Sequence, residues 1–260
     1  MRRSKTKPKY KLGKLAARPP RLKLHHYFTR PLPAPPLTAN LDALDLTDAN
    51  TYANDTIGDC ACAGPAHETL FWERHNRRDV ADITNADVLK MYSDITGYNP
   101  DDPSTDQGSC VSDVVAYRRT HGLIDHNGVA HTIAVGLGVN LRRDAVRQVI
   151  SLYDVCGLGI QVPESLMEQT QTAQNGHTAP EWTVVDGSPI DGGHYIAAIA
   201  YDEQWLYVNS WGIICRMSWD FFDHYVDEAW AYLSQEDVNS ADMSPDGIDY
   251  AQLKADIALL

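Results

Sequence analysis

The chain contains no run of about 18 apolar residues, so a conventional membrane-spanning helix is excluded. Its N-terminus is basic, but no apolar core of roughly 7–15 residues follows, so a secretory signal is not expected. The expected compartment is the cytoplasm, or a virion if the chain is phage-encoded. Cysteine is scarce, odd in number and scattered: Cys60, Cys62, Cys110, Cys156 and Cys215. That distribution predicts free thiols and excludes a disulfide framework. Internal repeats and long low-complexity runs are also lacking, which excludes solenoid and fibrous architectures. Residues 1–30 lack any acidic side chain.

What is present is an ordinary globular composition with a pronounced electrical polarity. The 260 residues are 43% hydrophobic and 22% charged, enough for one large domain or two small lobes. Net charge is −13, yet residues 1–30 hold 11 of the 22 Lys and Arg. The remainder therefore has 22 − 11 = 11 basic against 35 acidic residues, a balance of −24. Pro19-Pro20 and the segment RPLPAPP (Arg30–Pro36) keep this arm extended and out of regular helix. Three readings of the arm stand open: a solvated tail, a tether to nucleic acid or another polyanion, and a strap on an acidic protein surface such as its own body. The expected divisions are a basic, Pro-rich arm (1–36), a body (37–235) and a tail with a short helix (236–260).

Periodicity places helices first and strands second. Helices are expected from Cys60 to His75, over TNADVLKMYSDITG with Thr84 as cap and Gly97 as stop, over SDVVAYRRTHG, and over NLRRDAVRQVISLY. VCGLGIQVP, EWTVV, HYIAAIAY, WLYVNSW and EAWAYLS read as strands, with short helices at MSWDFFDHYV and DYAQLKADIALL. The fold class is α+β: a helical lobe at about 50–152 and an antiparallel β lobe at about 153–235.

Chemistry concentrates in two places. In NDTIGDCACAGPAH, Cys60 opens a helix, where the helix dipole and a nearby imidazolium favour the thiolate. A zinc clip of Cys60, Cys62 and His67 is set aside, because Cys-x-Cys lacks the usual ligand spacing and no second pair exists. In GGHYIAAIAY and YVNSWG, a four-residue loop from Ala200 to Glu203 would set His194 opposite Asn209 on one sheet face. Nucleophile, base and orienter would then be Cys60, His194 and Asn209. The oxyanion would be held by the Cys60 N–H and by the side-chain amide of Asn54.

These segments resemble the papain-like cysteine protease family. IGDC is similar to its Gly-x-Cys nucleophile turn, GGHYIAAIAY to its histidine strand, and YVNSWG to its Asn-Ser-Trp-Gly segment. DQGSC (Asp106–Cys110) resembles the glycine turn on one cleft wall. The separation of Cys60 and His194, 194 − 60 = 134 positions, falls within the family interval. The likeness is closest in kind to uncharacterised papain-like proteins of bacteria and bacteriophages. It implies a two-lobed fold with the cleft between the lobes. Trp211 would shield the Asn209–His194 bond, Gly108 and Gly193 would line the cleft, and Tyr195 would narrow the substrate pocket. The implied function is a cysteine peptidase or amide hydrolase acting on peptide or protein through an acyl-enzyme, with no metal or organic cofactor. The alternative is a catalytically weak or inactive papain-like protein, anchored by its arm in a virion or nucleoprotein. The arm is too short and irregular for a helical inhibitory prosegment, so no zymogen step is expected.

Overall fold

The computed structural model describes residues 10–234 and 248–260. The first nine residues of the basic arm and residues 235–247 of the expected tail lie outside the described residues. From Tyr10 the chain is extended, with 3-10 turns at Leu24–Tyr27 and Leu41–Leu46. Helices α1 (Cys60–His75), α2 (Asn85–Thr96) and α3 (Val111–Thr120) follow, then a small hairpin of β1 (Leu123–Ile124) and β2 (Ala130–His131). Next come β3 (Val135–Gly138), α4 (Arg143–Tyr153), β4 (Cys156–Pro163), α5 (Glu164–Asn175), β5 (Glu181–Trp182), β6 (Ile190–Tyr201), β7 (Trp205–Ser210) and β8 (Ile213–Ser218). Helix α6 (Trp219–Tyr225), β9 (Val226–Leu233) and α7 (Tyr250–Ile257) complete the described chain.

The large sheet has seven strands in the order β3-β9-β4-β6-β7-β8-β5, antiparallel except for the β5–β8 edge pair. Its first strand comes from before α4, so the sheet draws on chain that precedes residue 153. One apolar core lies within the sheet and its helices, built on Leu158, Ile196, Val208, Trp182 and Phe221. A second joins α1, α2 and α3 to Tyr195, Trp230 and Tyr232 of the sheet. Helix α1 belongs to the second, and every residue from Cys60 to Phe71 is buried. A helix enclosed on all sides needs no amphipathic stripe.

Local signals behave as expected where they are complete. Thr84 and Asp87 form a reciprocal capping box, and Gly97 ends α2 with φ of 77°. Ser218 caps α6 by accepting the Phe221 N–H at 3.1 Å. Among the elements not anticipated are the short strands β1, β2 and β3, α5, whose ESLMEQTQTAQN sequence is almost wholly polar, and β8, whose IICRMS sequence runs into the α6 signal.

The expected register of the central hairpin is overturned. Tyr201 pairs with Leu206 and Asn209 pairs with Ala197, not with His194. The turn begins later because Asp202 Oδ1 accepts the N–H groups of Gln204 and Trp205, each at 2.7 Å. A bulge between Ala198 and Ala200 shifts the pairing again. Because side chains alternate along a strand, the new register sends Asn209 to the face opposite His194.

Candidate active site

The turn before α1 is pinned from outside. Asp106 accepts the Gly58 N–H with both carboxylate oxygens at 3.1 Å, and Tyr92 donates its hydroxyl to the same carboxylate at 2.8 Å. Cys60 therefore enters α1 in a fixed position, with its own N–H among the helix-end donors left without an intrahelical partner. The thiol is buried, and burial pushes its pKa up to about 12. The backbone N–H groups of Tyr195 and Gly13 face the sulfur and act in the opposite direction. Beside it, burial raises the Asp59 carboxyl well above the usual range.

His194 lies on β6 with its ring buried. Its Nε2 is 2.9 Å from Ser210 Oγ, and its face stacks on Trp211 at 4.2 Å between ring centroids. Nδ1 has no hydrogen-bond partner. Burial, helped by the nearby His67, lowers its pKa to about 3. Thiol and imidazole are thus both held neutral, with no hydrogen bond between them.

Four sequence-based assignments change, the first being Trp211, which stacks on the His194 ring and has no Asn209–His194 bond to shield. Asn209 does not orient His194: its Nδ2 lies 3.2 Å from Nδ1 of His67 and 3.5 Å from the Asp48 carbonyl. His67 in turn is 2.9 Å from Asp48 Oδ2. The orienting contact belongs to Ser210, which the shifted register brings to the His194 face. Asn54 does not present its amide to the cleft, since Nδ2 donates to the Ile57 carbonyl at 3.0 Å within the turn. Tyr195 does not narrow a substrate pocket. Its side chain points into the helical core and reaches Glu68 at 2.5 Å and Tyr232 at 2.7 Å.

The cleft is occupied by the chain's own arm. Lys14 donates its N–H to the Gly193 carbonyl at 3.1 Å, Ser109 donates to Gly13 at 2.9 Å, and Leu15 donates to Ser109 at 3.0 Å. Gly108 and Gly193 both border this track: a Cβ on Gly108 would lie 2.1 Å from the Gly13 carbonyl oxygen, and one on Gly193 2.4 Å from that of Lys14. Tyr10 stacks on Trp211 at 4.4 Å, continuing the pile begun by His194. Lys11 pairs with Asp106 at 3.2 Å, Lys14 with Asp227 at 2.9 Å and Glu228 at 3.3 Å, and Arg18 with Asp113 at 2.9 Å. Among the three readings of the arm, the described residues form a strap on the acidic body. The arm crosses the site as an extended strap, not as the helical prosegment for which it is too short. At about 3.3 Å per extended residue, a single strand crosses the cleft without any helical prodomain.

No protein-family model and no curated protein sequence matches the chain. Solved structures do. Xylellain, a cysteine protease from Xylella fastidiosa, superposes with a TM-score of 0.62 at 14% identity, covering 89% of this chain and 98% of that one. The protein has the papain-like fold. Digestive procathepsin L 3 of Tenebrio molitor gives a TM-score of 0.54 at 8% identity over 82% of this chain and 76% of that one. The cysteine protease CMS1MS2 of Carica candamarcensis gives 0.52 at 10% identity over 76% and 99%.

Within this papain-like frame, four participants escaped the sequence reading. Ser210 and Asp106 are ordinary residues whose roles depend on register and on a turn 48 residues away. The pairing of Lys14 with Asp227 and Glu228 had a visible signal, the +11 arm beside a −24 body, but charge alone does not choose partners. The Asp48–His67–Asn209 cluster had none.

Proposed function

We propose that the protein is a cysteine peptidase whose nucleophile is Cys60 and whose general base is His194, stored in a closed form by its own N-terminal arm. The observation that carries this is the placement of Cys60 at the start of α1, beside the β6 strand that bears His194, with residues 13–15 laid between Ser109 and Gly193. Once the arm leaves, water reaches both groups and the burial that holds them neutral is relieved. His194 then takes the thiol proton, and the thiolate attacks a substrate carbonyl. The Cys60 N–H is positioned for the oxyanion. His194 returns the proton to the leaving amine, and water hydrolyses the acyl-enzyme by the same route in reverse. Ser210 and the stacked Trp211 hold the ring in place.

The second reading, a catalytically silent papain-like protein, draws on Asn54 and Asn209 both being engaged elsewhere. Labelling with a peptidyl epoxide, followed by peptide mapping, separates the two. Saturable modification of Cys60 alone, abolished by Cys60→Ala, supports the peptidase. Equal slow modification of all five thiols supports the silent protein.

A further inference from the structure

The side chain of Lys14 is fully buried, an expensive position for an ammonium unless it is closely paired. It is paired on three sides. Nζ donates to Asp227 Oδ2 at 2.9 Å and to the Leu15 carbonyl at 3.3 Å, and lies 3.3 Å from Glu228 Oε1. The two carboxylates are themselves held in position: Gln161 donates to Asp227, and the Trp230 indole N–H donates to Glu228 at 2.8 Å. The floor is Gly159, where a Cβ would lie 2.1 Å from Lys14 Cε, so any larger residue would fill the space. Asp227 and Glu228 also border a cavity of about 370 Å³ beside Pro19 and Pro20.

The main chain makes this more than an anchor for the arm. Lys14 hydrogen-bonds through its backbone to Gly193, the neighbour of His194, and it bridges Ser109 on the opposite wall. Gly13, one residue away, has its N–H on the Cys60 sulfur. A peptide held along the same walls for attack by Cys60 would bring a side chain to the same place.

Resting on the peptidase reading, we infer that the pocket formed by Asp227, Glu228, Gly159 and Gln161 is a substrate subsite that selects a lysine or arginine side chain, and that Lys14 occupies it in the closed form. Two preorganised carboxylates over a glycine floor leave an apolar side chain with unpaired buried charge, and an acidic one with like-charge repulsion.

The test uses the full-length chain carrying Lys14→Ala, so that the pocket is vacated. Peptidyl vinyl sulfones with Lys, Leu or Glu at the first or second residue from the warhead are compared by their rates of Cys60 modification in 0.5 M salt, which screens the general attraction of an acidic body for cations. The lysyl probe should react about tenfold or more faster than the leucyl probe at one of the two positions, and the glutamyl probe slowest. Asp227→Asn with Glu228→Gln, nearly isosteric, should bring the lysyl-to-leucyl ratio to about one. A ratio near one before those changes, or a ratio that survives them, overturns the subsite and leaves the thiol chemistry standing. Failure of every probe to modify Cys60 overturns the subsite and the peptidase reading together.

Discussion

Lys14 donates its main-chain N–H to the Gly193 carbonyl at 3.1 Å, tying the arm to the residue that precedes His194. The contact is backbone to backbone, so it asks nothing of the Lys14 side chain and only that position 193 carry no Cβ. It explains how an arm of irregular sequence covers a site that needs close approach from both walls. Specificity for this register comes instead from Lys14 in its acidic pocket and Tyr10 on Trp211.

Gly13 sits where no side chain fits. A Cβ there would lie 1.9 Å from the Gly58 carbonyl oxygen, a backbone atom that Asp106 helps hold in place through the Gly58 N–H. Gly13→Ala should therefore expel the arm without touching the site. Alkylation of Cys60 by iodoacetamide should accelerate about tenfold or more, equivalent to a loss of roughly 1.4 kcal/mol in arm binding. An unchanged rate would mean that something other than the arm protects the thiol.

Cys60 and Cys62 are both buried near the start of α1, but only Cys60 has the Tyr195 and Gly13 N–H groups on its sulfur. In the arm-released protein, Cys60→Ala should abolish peptide hydrolysis and epoxide labelling. Cys62→Ala should preserve both, at a stability cost of about 1–2 kcal/mol for lost packing. Loss of labelling in Cys62→Ala with an unchanged melting temperature would move the nucleophile to that residue.

Ser210 and Asn209 are adjacent on β7 and face opposite ways. Ser210→Ala removes the partner of His194 Nε2, so the arm-released enzyme should lose kcat with little change in melting temperature. Asn209→Ala instead strips a partner from the buried His67–Asp48 pair, costing about 1–3 kcal/mol of stability. Parallel kcat and thermal unfolding measurements on the two variants decide the matter. Activity lost in Asn209→Ala at unchanged stability would restore Asn209 as the orienter.

The longer helices and strands, the caps of α2, the start of α1 and the α+β class were legible because each rests on local periodicity or a short-range capping signal. Short motifs singled out Cys60, His194, Gly108, Gly193 and Trp211 as candidates. Partners were not. One bulged residue near Ile199 and an Asx-type turn at Asp202 exchange the roles expected of Asn209 and its neighbour Ser210, and neither leaves a mark in a single sequence. Helix α5 was missed because its few apolar residues, Leu166 and Met167, give no stripe. The arm's course was hidden for a different reason: extended strands that pair through backbone atoms have no side-chain code.

Glu68 on α1, Arg118 on α3, Tyr195 on β6 and Tyr232 on β9 form a buried network between the helices and the sheet. Arg118 bonds Glu68 at 2.6 Å and lies 4.5 Å from the centroid of the Tyr232 ring. Replacing Arg118 with Met would leave Glu68 with an uncompensated buried charge, at a cost of about 3–5 kcal/mol. The combined change of Arg118→Met and Glu68→Leu should recover much of that loss. Denaturant unfolding of the single and double variants tests it, and a mild effect of the single variant would show the pair to be dispensable.

Acid should loosen the closed form, and the sign follows from two groups. His194 is held down to about 3 by burial and by nearby His67, against 6.5 for an ordinary histidine. Between those values an unfolded chain binds a proton that the folded protein refuses, so stability is fully present above about 6.5 and falls as pH drops toward 3. Asp48 acts in the same sense. Burial, the largest single influence, opposes its ionisation, but the His67 contact, the Asn50 N–H and the nearby Arg74 together outweigh it and hold its carboxyl below the usual aspartate value. Its contribution is present above that value and is lost as pH falls through the lowered one. Urea unfolding at intervals from pH 8 to pH 4 should show a plateau, then a decline beginning near 6.5. His194→Gln should flatten the upper part of that decline and leave the part below the aspartate range. A wild-type profile level down to pH 4 would mean that His194 protonates in the folded protein, and that its burial does not hold it neutral.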